Sequence, residues 1–211
     1  MQRCISSHLC KLQPGRKCLQ DIRNNVVNSV GKWWMLGWAA QSVWQLLFCY
    51  NTGISLASAT VVLAMASLCF HKAMKSAQHF MMESGAIGRV GRILLSMSTA
   101  INAAWLNVAT AVNTCVAVSV NSHHDVLPVA AALAVLVLLQ GLRTALDRRS
   151  LTYALTLVWS FVGVYFAQAS KYAAMQKIAG VGVGAMAIVS VILLFKPRPA
   201  SSGASSAAAA T

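Results

Sequence analysis

Acidic residues are the scarcest feature of this sequence. There are only four among 211 residues, and charged residues of both signs make up 10% of the chain. Soluble domains carry about 25% charged residues. Together with a hydrophobic fraction of 57%, this composition excludes an ordinary soluble globule and indicates an integral membrane protein. All four acids lie outside the apolar segments or at their edges, so a carboxylate-based proton relay through the membrane has no candidates.

Familiar catalytic and nucleotide-binding motifs are also missing. The sequence contains no P-loop, no G-x-G-x-x-G after a strand, no H-E-x-x-H and no G-x-S-x-G. Its six cysteines form no C-x-x-C pair, so neither a structural zinc site nor a redox pair is indicated. His123, His124 and Asp125 share one short loop, which makes only an incomplete metal site. We therefore predict no catalytic residue, no metal site and no enzymatic activity.

What the sequence does contain is a series of long apolar runs. A bilayer core is crossed by about 20 apolar residues, and six runs approach or reach that length. The predicted fold is therefore an all-α, polytopic membrane bundle of about six transmembrane helices within residues 33–196. The spans are residues 33–50, 54–70, 94–120, 126–142, 151–169 and 178–195.

The basic residues alternate between the connections of these spans. If both termini lie on one side, that side carries 15 Lys and Arg and the other side carries 2. This asymmetry follows the positive-inside rule and accounts for the net charge of +13. Because no basic groove with interleaved aromatic residues accompanies the charge, we predict no nucleic-acid binding; membrane lipid is the expected partner.

The two ends of the chain differ in composition from the spans. Residues 1–32 hold six basic residues and one acid, which fits either an organelle-targeting presequence or a basic flank that only fixes topology. The membrane of a plastid, a mitochondrion or an endomembrane compartment is accordingly the expected location. Residues 197–211 consist mainly of serine and alanine and are predicted to be disordered.

A basic strip follows the second span. His71, Lys75 and His79 recur at helical spacing and predict a short interfacial helix that contacts solvent or anionic lipid. Haem ligation by His71 or His79 is the alternative.

The third span carries more polar residues than a lipid-facing helix tolerates. At 100° per residue, Asn102 and Asn113 fall on nearly the same side of the helix, with Trp105 and Ala109 between them. Amides in hydrocarbon are tolerated mainly against other helices or a lined cavity. We therefore expect this helix to be interior, with the rest of the chain packed around it.

The first and sixth spans carry further interaction patterns. In the first, Gln41 and Trp44 lie on one stripe, which indicates either helix–helix contact or one wall of a ligand cavity. In the sixth, Gly180-x-x-x-Gly184 is a small-x-x-x-small surface for packing within the monomer or in a homo-oligomer.

Three motifs resemble the translocator protein (TspO) family, the tryptophan-rich sensory proteins. Ala104-Trp105-Leu106-x-x-Ala109-Thr110-x-x-Asn113 is similar to the family's last helix, and Gln41-x-x-Trp44-x-x-x-Phe48 resembles its third helix. His71-Lys72 is similar to the basic end of the fourth. The likeness covers residues 33–120, with three further spans after it.

The resemblance implies a non-enzymatic membrane protein that binds a hydrophobic or tetrapyrrole-like ligand, such as a porphyrin or haem, between the first and third spans. Sterol binding is not implied, because the tyrosine and the basic residue of the animal sterol-binding stretch are missing. The alternative function is a structural or accessory subunit of a larger membrane complex. The resemblance, together with the polar stripe of the first span, marks seven ligand-binding candidates: Gln41, Trp44, Leu47, Trp105, Ala109, Val112 and Asn113.

Overall fold

Six long helices make up the described part of the chain. The computed structural model describes residues 24, 27–83, 89–122, 125–168 and 172–195. After a π-helical turn at Val27–Gly31, the helices are α1 (Lys32–Cys49), α2 (Gly53–Glu83), α3 (Arg89–Asn121), α4 (Leu127–Arg148), α5 (Leu151–Gln168) and α6 (Ala173–Phe195). Most of residues 1–32, the His123–His124 pair and residues 197–211 lie outside the described residues, as do the predictions made for them.

The predicted all-α membrane bundle is confirmed. Five helices, α2 to α6, are long and apolar enough to cross a membrane, and each coincides with a predicted span. The helix α1 is not among these five, because its four tryptophans and two glutamines lower its hydropathy. Pro128 lies in the first turn of α4, where its missing N–H removes no intrahelical hydrogen bond.

The helix α3 lies at the centre of the bundle, as expected from its polar residues. It packs against α2, α4 and α5, while α1 packs on α2 and α6 packs on α4 and α5. Ala100, Ala103 and Ala104 are fully buried on α3, and their small side chains allow neighbouring backbones to approach closely.

Neighbouring helices run in opposite directions, as a serpentine membrane protein requires. The Asn121 side chain near the end of α3 donates a hydrogen bond to the Gly53 carbonyl at the start of α2 (3.1 Å). At the other end of α2, Arg148 of α4 donates to Gln78 (2.9 Å). The basic ends of α2 and α4 therefore meet on the same side of the bundle.

The short interfacial helix expected after the second span is not a separate element. His71, Lys75 and His79 belong to α2, which continues without interruption for 31 residues to Glu83. No proline or glycine occurs between Gly53 and Glu83 to end the helix. The basic strip is thus the extension of α2 beyond the apolar span.

Glycines set the closest helix contacts. An added Cβ at Gly37 would lie 2.6 Å from Phe70, and one at Gly182 would lie 2.9 Å from Phe161, whereas one at Gly184 would meet nothing within 4 Å. The close contact of α6 with α5 is therefore centred on Gly182, between the two glycines of the predicted motif.

This difference between two glycines on one helix gives a matched test. Gly182→Ala should lower the free energy of unfolding by about 1–3 kcal/mol relative to Gly184→Ala, because the new methyl group overpacks against the buried Phe161 ring. Both variants gain the same intrinsic helix propensity, so their difference isolates the contact. Unfolding in detergent micelles, followed by circular dichroism, measures it, and equal stability of the two variants would contradict the packing described.

Candidate functional site

Asn113 is a hydrogen-bonded junction of three helices. Its side chain is 3% exposed. The Trp44 indole N–H of α1 donates to Asn113 Oδ1 (3.1 Å), and Asn113 Nδ2 donates to the Thr60 hydroxyl of α2 (2.6 Å). Both ends of the amide are therefore occupied, and this contact ties α1 and α2 to the outer half of α3.

A second buried polar cluster, formed by Ser67, His71, Asn107 and Tyr153, joins α2, α3 and α5. The Ser67 hydroxyl donates to Asn107 Oδ1 (2.9 Å), and Asn107 Nδ2 donates to the Tyr153 hydroxyl (2.8 Å). Tyr153 is fully buried and Asn107 is 9% exposed, so three helices meet at a cluster shielded from solvent.

Both ring nitrogens of His71 are engaged in this cluster. Nδ1 lies 2.9 Å from the Ser67 carbonyl oxygen, and Nε2 lies 3.3 Å from the Tyr153 hydroxyl. In this arrangement the imidazole serves as a hydrogen-bonding group. Among the described residues, no group of three or more metal-ligating side chains converges.

An open cleft lies between α3 and α5, beside Trp105. This cleft has a volume of about 490 Å³. The Trp105 and Trp159 rings stand 5.3 Å apart at its wall, tilted by 43°, and their side chains are 40% and 64% exposed. Its lining consists of Met97, Ile101, Asn102 and Trp105 of α3 and Thr152, Leu155, Thr156 and Trp159 of α5.

One edge of this cleft is polar. Asn102 Nδ2 donates to the Ser98 carbonyl (2.9 Å), while Asn102 Oδ1 accepts no hydrogen bond from the described residues. The Thr156 hydroxyl donates to the Thr152 carbonyl (2.9 Å) and keeps its lone pairs as acceptors. The cleft thus combines aromatic faces with hydrogen-bond acceptors, the composition expected of a small-molecule site.

The seven predicted site residues do not line one pocket. Trp105 lines the α3–α5 cleft, whereas Trp44 and Asn113 bond to each other. Val112 lines a smaller cavity of about 60 Å³ among α3, α4, α5 and α6. The remaining three, Gln41, Leu47 and Ala109, are half-buried.

Gln41 differs from the others in one respect. Its Oε1 atom is buried and has no hydrogen-bond partner in the described part of the chain. A buried amide oxygen without a donor costs about 1–3 kcal/mol, so Gln41 is a polar group that the described residues leave unsatisfied.

Sequence reasoning missed two residues that the structure brings to these sites. These are Trp159 and Tyr153, and neither is among the site residues predicted from the sequence. The pairings of Trp159 with Trp105 and of Tyr153 with Asn107 leave no pattern in the local sequence. Trp105 and Trp159, for example, are 54 positions apart and belong to helices whose relative rotation the sequence does not state.

These features define a polytopic α-helical membrane protein with buried amide junctions and an aromatic cleft. The chain belongs to the family of TSPO-like proteins, since the family model described as TSPO-like protein matches residues 16–195. Searches among curated proteins and among solved structures each return no match.

The family match confirms the resemblance and extends it. The motifs on α1, α2 and α3 carried the likeness over residues 33–120, whereas the family model also covers α4, α5 and α6. The three later helices are therefore part of the family's architecture in this chain, and α5 contributes half of the aromatic cleft.

The buried cluster at Tyr153 yields a second test. Tyr153→Phe removes a hydroxyl that bonds to Asn107 and should lower the free energy of unfolding by about 1 kcal/mol, the scale measured for polar contacts between membrane helices. Tyr165→Phe is the matched control, because the Tyr165 hydroxyl has no hydrogen bond within the described chain. Equal changes in the free energy of unfolding of both variants, measured in detergent, would contradict a stabilising role of the Tyr153 hydroxyl.

Proposed function

We propose that this TSPO-like protein binds an apolar or tetrapyrrole-like ligand in the cleft between α3 and α5. The observation that supports the proposal is the cleft of about 490 Å³ beside the Trp105–Trp159 pair. Ligand sites in proteins typically enclose about 300–1,000 Å³ and are lined mainly by apolar and aromatic groups. The cleft falls within this range of size and composition.

The geometry suits a flat, conjugated ligand. Indole rings offer large apolar faces on which another ring system stacks in an offset or tilted arrangement. The Asn102 carbonyl oxygen and the Thr156 hydroxyl stand at the polar edge of the same cleft, where they can accept hydrogen bonds from protonated carboxyl groups at the rim of the ligand. A porphyrin satisfies both requirements.

The lining favours binding without chemical conversion. Its side chains offer thioether, aliphatic, amide, hydroxyl and indole groups, none of which titrates near neutral pH. General acid–base catalysis requires a group whose pKa lies near the working pH. We therefore propose a binding protein of an organellar or endomembrane bilayer, with the basic segment 1–32 as the feature that supports this location.

A porphyrin titration tests the site. Trp105→Ala and Trp159→Ala, each in lipid nanodiscs, should weaken protoporphyrin IX binding about five- to tenfold, because each removes one stacking face. The shift of the porphyrin absorbance band measures binding without depending on the tryptophan signal. Empty nanodiscs correct for partition into lipid.

Trp38→Ala is the matched control, since Trp38 is 45% exposed on α1 and lies outside the cleft lining. We expect it to bind porphyrin like the unchanged protein. The proposal fails if Trp105→Ala and Trp159→Ala both titrate like Trp38→Ala. If Trp44→Phe alone weakens binding, the ligand instead occupies the α1 side that the family resemblance implies.

The exposed face of α1 favours a second candidate, an accessory subunit of a larger membrane complex. Gln45 is exposed on this helix, and Gln41 Oε1 is buried without a partner in the described chain. Amide groups at membrane depth form hydrogen bonds between helices. A partner helix against α1 would give the exposed Gln45 amide a hydrogen-bond partner and would cover the side of the helix next to Gln41.

Blue-native electrophoresis of solubilised native membranes tests this candidate. If α1 docks a partner, the protein should migrate in a large assembly, and Gln41→Leu/Gln45→Leu should shift it to a small species. Ser42→Ala should leave migration unchanged, because the Ser42 hydroxyl bonds to Trp38 within its own helix. A stable small species of the unchanged protein argues against the accessory role.

A further inference from the structure

A separate apolar contact holds the start of α1 against the later part of α2. Val30, Ala73 and Ala77 are buried together, and Trp33 and Leu95 pack against them. This second core fixes the Trp33 indole beside the basic strip of α2. The position of Trp33 is therefore set by packing.

Two lysine side chains converge on this indole. The Lys72 ammonium lies 4.3 Å from the Trp33 ring centroid, and the Lys32 ammonium lies 5.4 Å from it. Such cation–π contacts stabilise an ammonium group by about 0.5–1 kcal/mol at exposed sites. Both lysines, and Lys75 less than one turn further along α2, are exposed.

These three lysines lack the partners that other basic groups on this side have. Arg143 pairs with Asp147 at 3.6 Å, and Arg148 bonds to Gln78. Within the described part of the chain, Lys32, Lys72 and Lys75 form no ion pair with a carboxylate. No carboxylate of the described residues therefore neutralises the positive charge beside Trp33, which makes it available to an external anion.

The depth of the cluster is that of lipid headgroups. Lys72 follows Gly53, the first residue of α2, by 19 positions, which is about 28 Å of helix. This length is close to the roughly 30 Å thickness of the hydrocarbon core. Because α2 starts at the opposite membrane face, Lys72 lies where the core ends and the headgroups begin.

Apolar surface continues from the cluster toward the membrane centre. Leu36 lies one turn after Lys32 on α1 and is 54% exposed, and Met35 beside it is 72% exposed. A soluble anion such as phosphate gains no binding energy from apolar surface, whereas an acyl chain can pack along it. A lysine cluster next to exposed apolar side chains therefore fits a phospholipid better than free phosphate.

The geometry points to a binding site for an anionic phospholipid at Lys32, Trp33 and Lys72. The lipid phosphate is held by the two ammonium groups over the indole, Lys75 adds charge, and an acyl chain runs along Leu36. The site lies on the basic side of the bundle, which faces the anionic leaflet under the positive-inside rule. It is independent of the α3–α5 cleft and of the function proposed for that cleft.

Native mass spectrometry of the full chain in detergent tests the site. With added dioleoyl-phosphatidylglycerol, we expect more bound lipid than with the zwitterionic dioleoyl-phosphatidylcholine. Lys72→Gln should reduce phosphatidylglycerol binding about fivefold, the scale of one lysine near an anionic lipid surface, and Lys32→Gln should reduce it similarly. Lys177→Gln is the matched control, because it removes one exposed positive charge from the start of α6 on the opposite membrane side.

Three outcomes would overturn the proposal. Equal binding of the two lipids would remove the requirement for an anionic headgroup. Equal losses in Lys72→Gln and Lys177→Gln would mean that net charge alone attracts the lipid. Displacement of phosphatidylglycerol by millimolar inorganic phosphate would identify a site for soluble anions. Retention of binding in Lys72→Arg, with loss in Lys72→Gln, would support direct contact with the phosphate.

Discussion

The bundle depends on the need to satisfy amide side chains inside a membrane. Asn107 and Asn113 lie six positions apart on the central helix, and each uses both ends of its amide in hydrogen bonds to other helices. In hydrocarbon no water can replace such partners. The two junctions therefore fix the rotation of α3 and the positions of α1, α2 and α5 around it.

The aromatic cleft is a consequence of that rotation. Because Asn107 and Asn113 must face the interior, Trp105 points to the surface of the bundle between α3 and α5. There its ring contacts the Trp159 ring. The cleft lies beside these two rings and is lined by both of them. The same polar contacts that stabilise the fold thereby create the surface proposed to bind a ligand.

The sequence predicted the number and order of the helices, the central position of α3 and the family, because these depend on hydropathy, charge and local motifs. It did not predict that α2 continues through His71 and Lys75, since the change from apolar to basic residues suggested a boundary where the backbone has none. It also grouped Trp44, Trp105 and Asn113 in one pocket. In the structure, Trp44 and Asn113 form a contact between helices, while Trp105 faces a different neighbour.

The amino-acid sequence by itself determined the membrane-spanning helices of this chain and predicts that most of its basic residues lie on one side, because apolar length and charge distribution are local properties. Only the tertiary structure decided which side chains meet. The pairings of Asn107 with Tyr153, of Trp105 with Trp159 and of Lys72 with Trp33 join different helices. Each depends on the rotation and depth at which two helices pack, and these are set by all their contacts together.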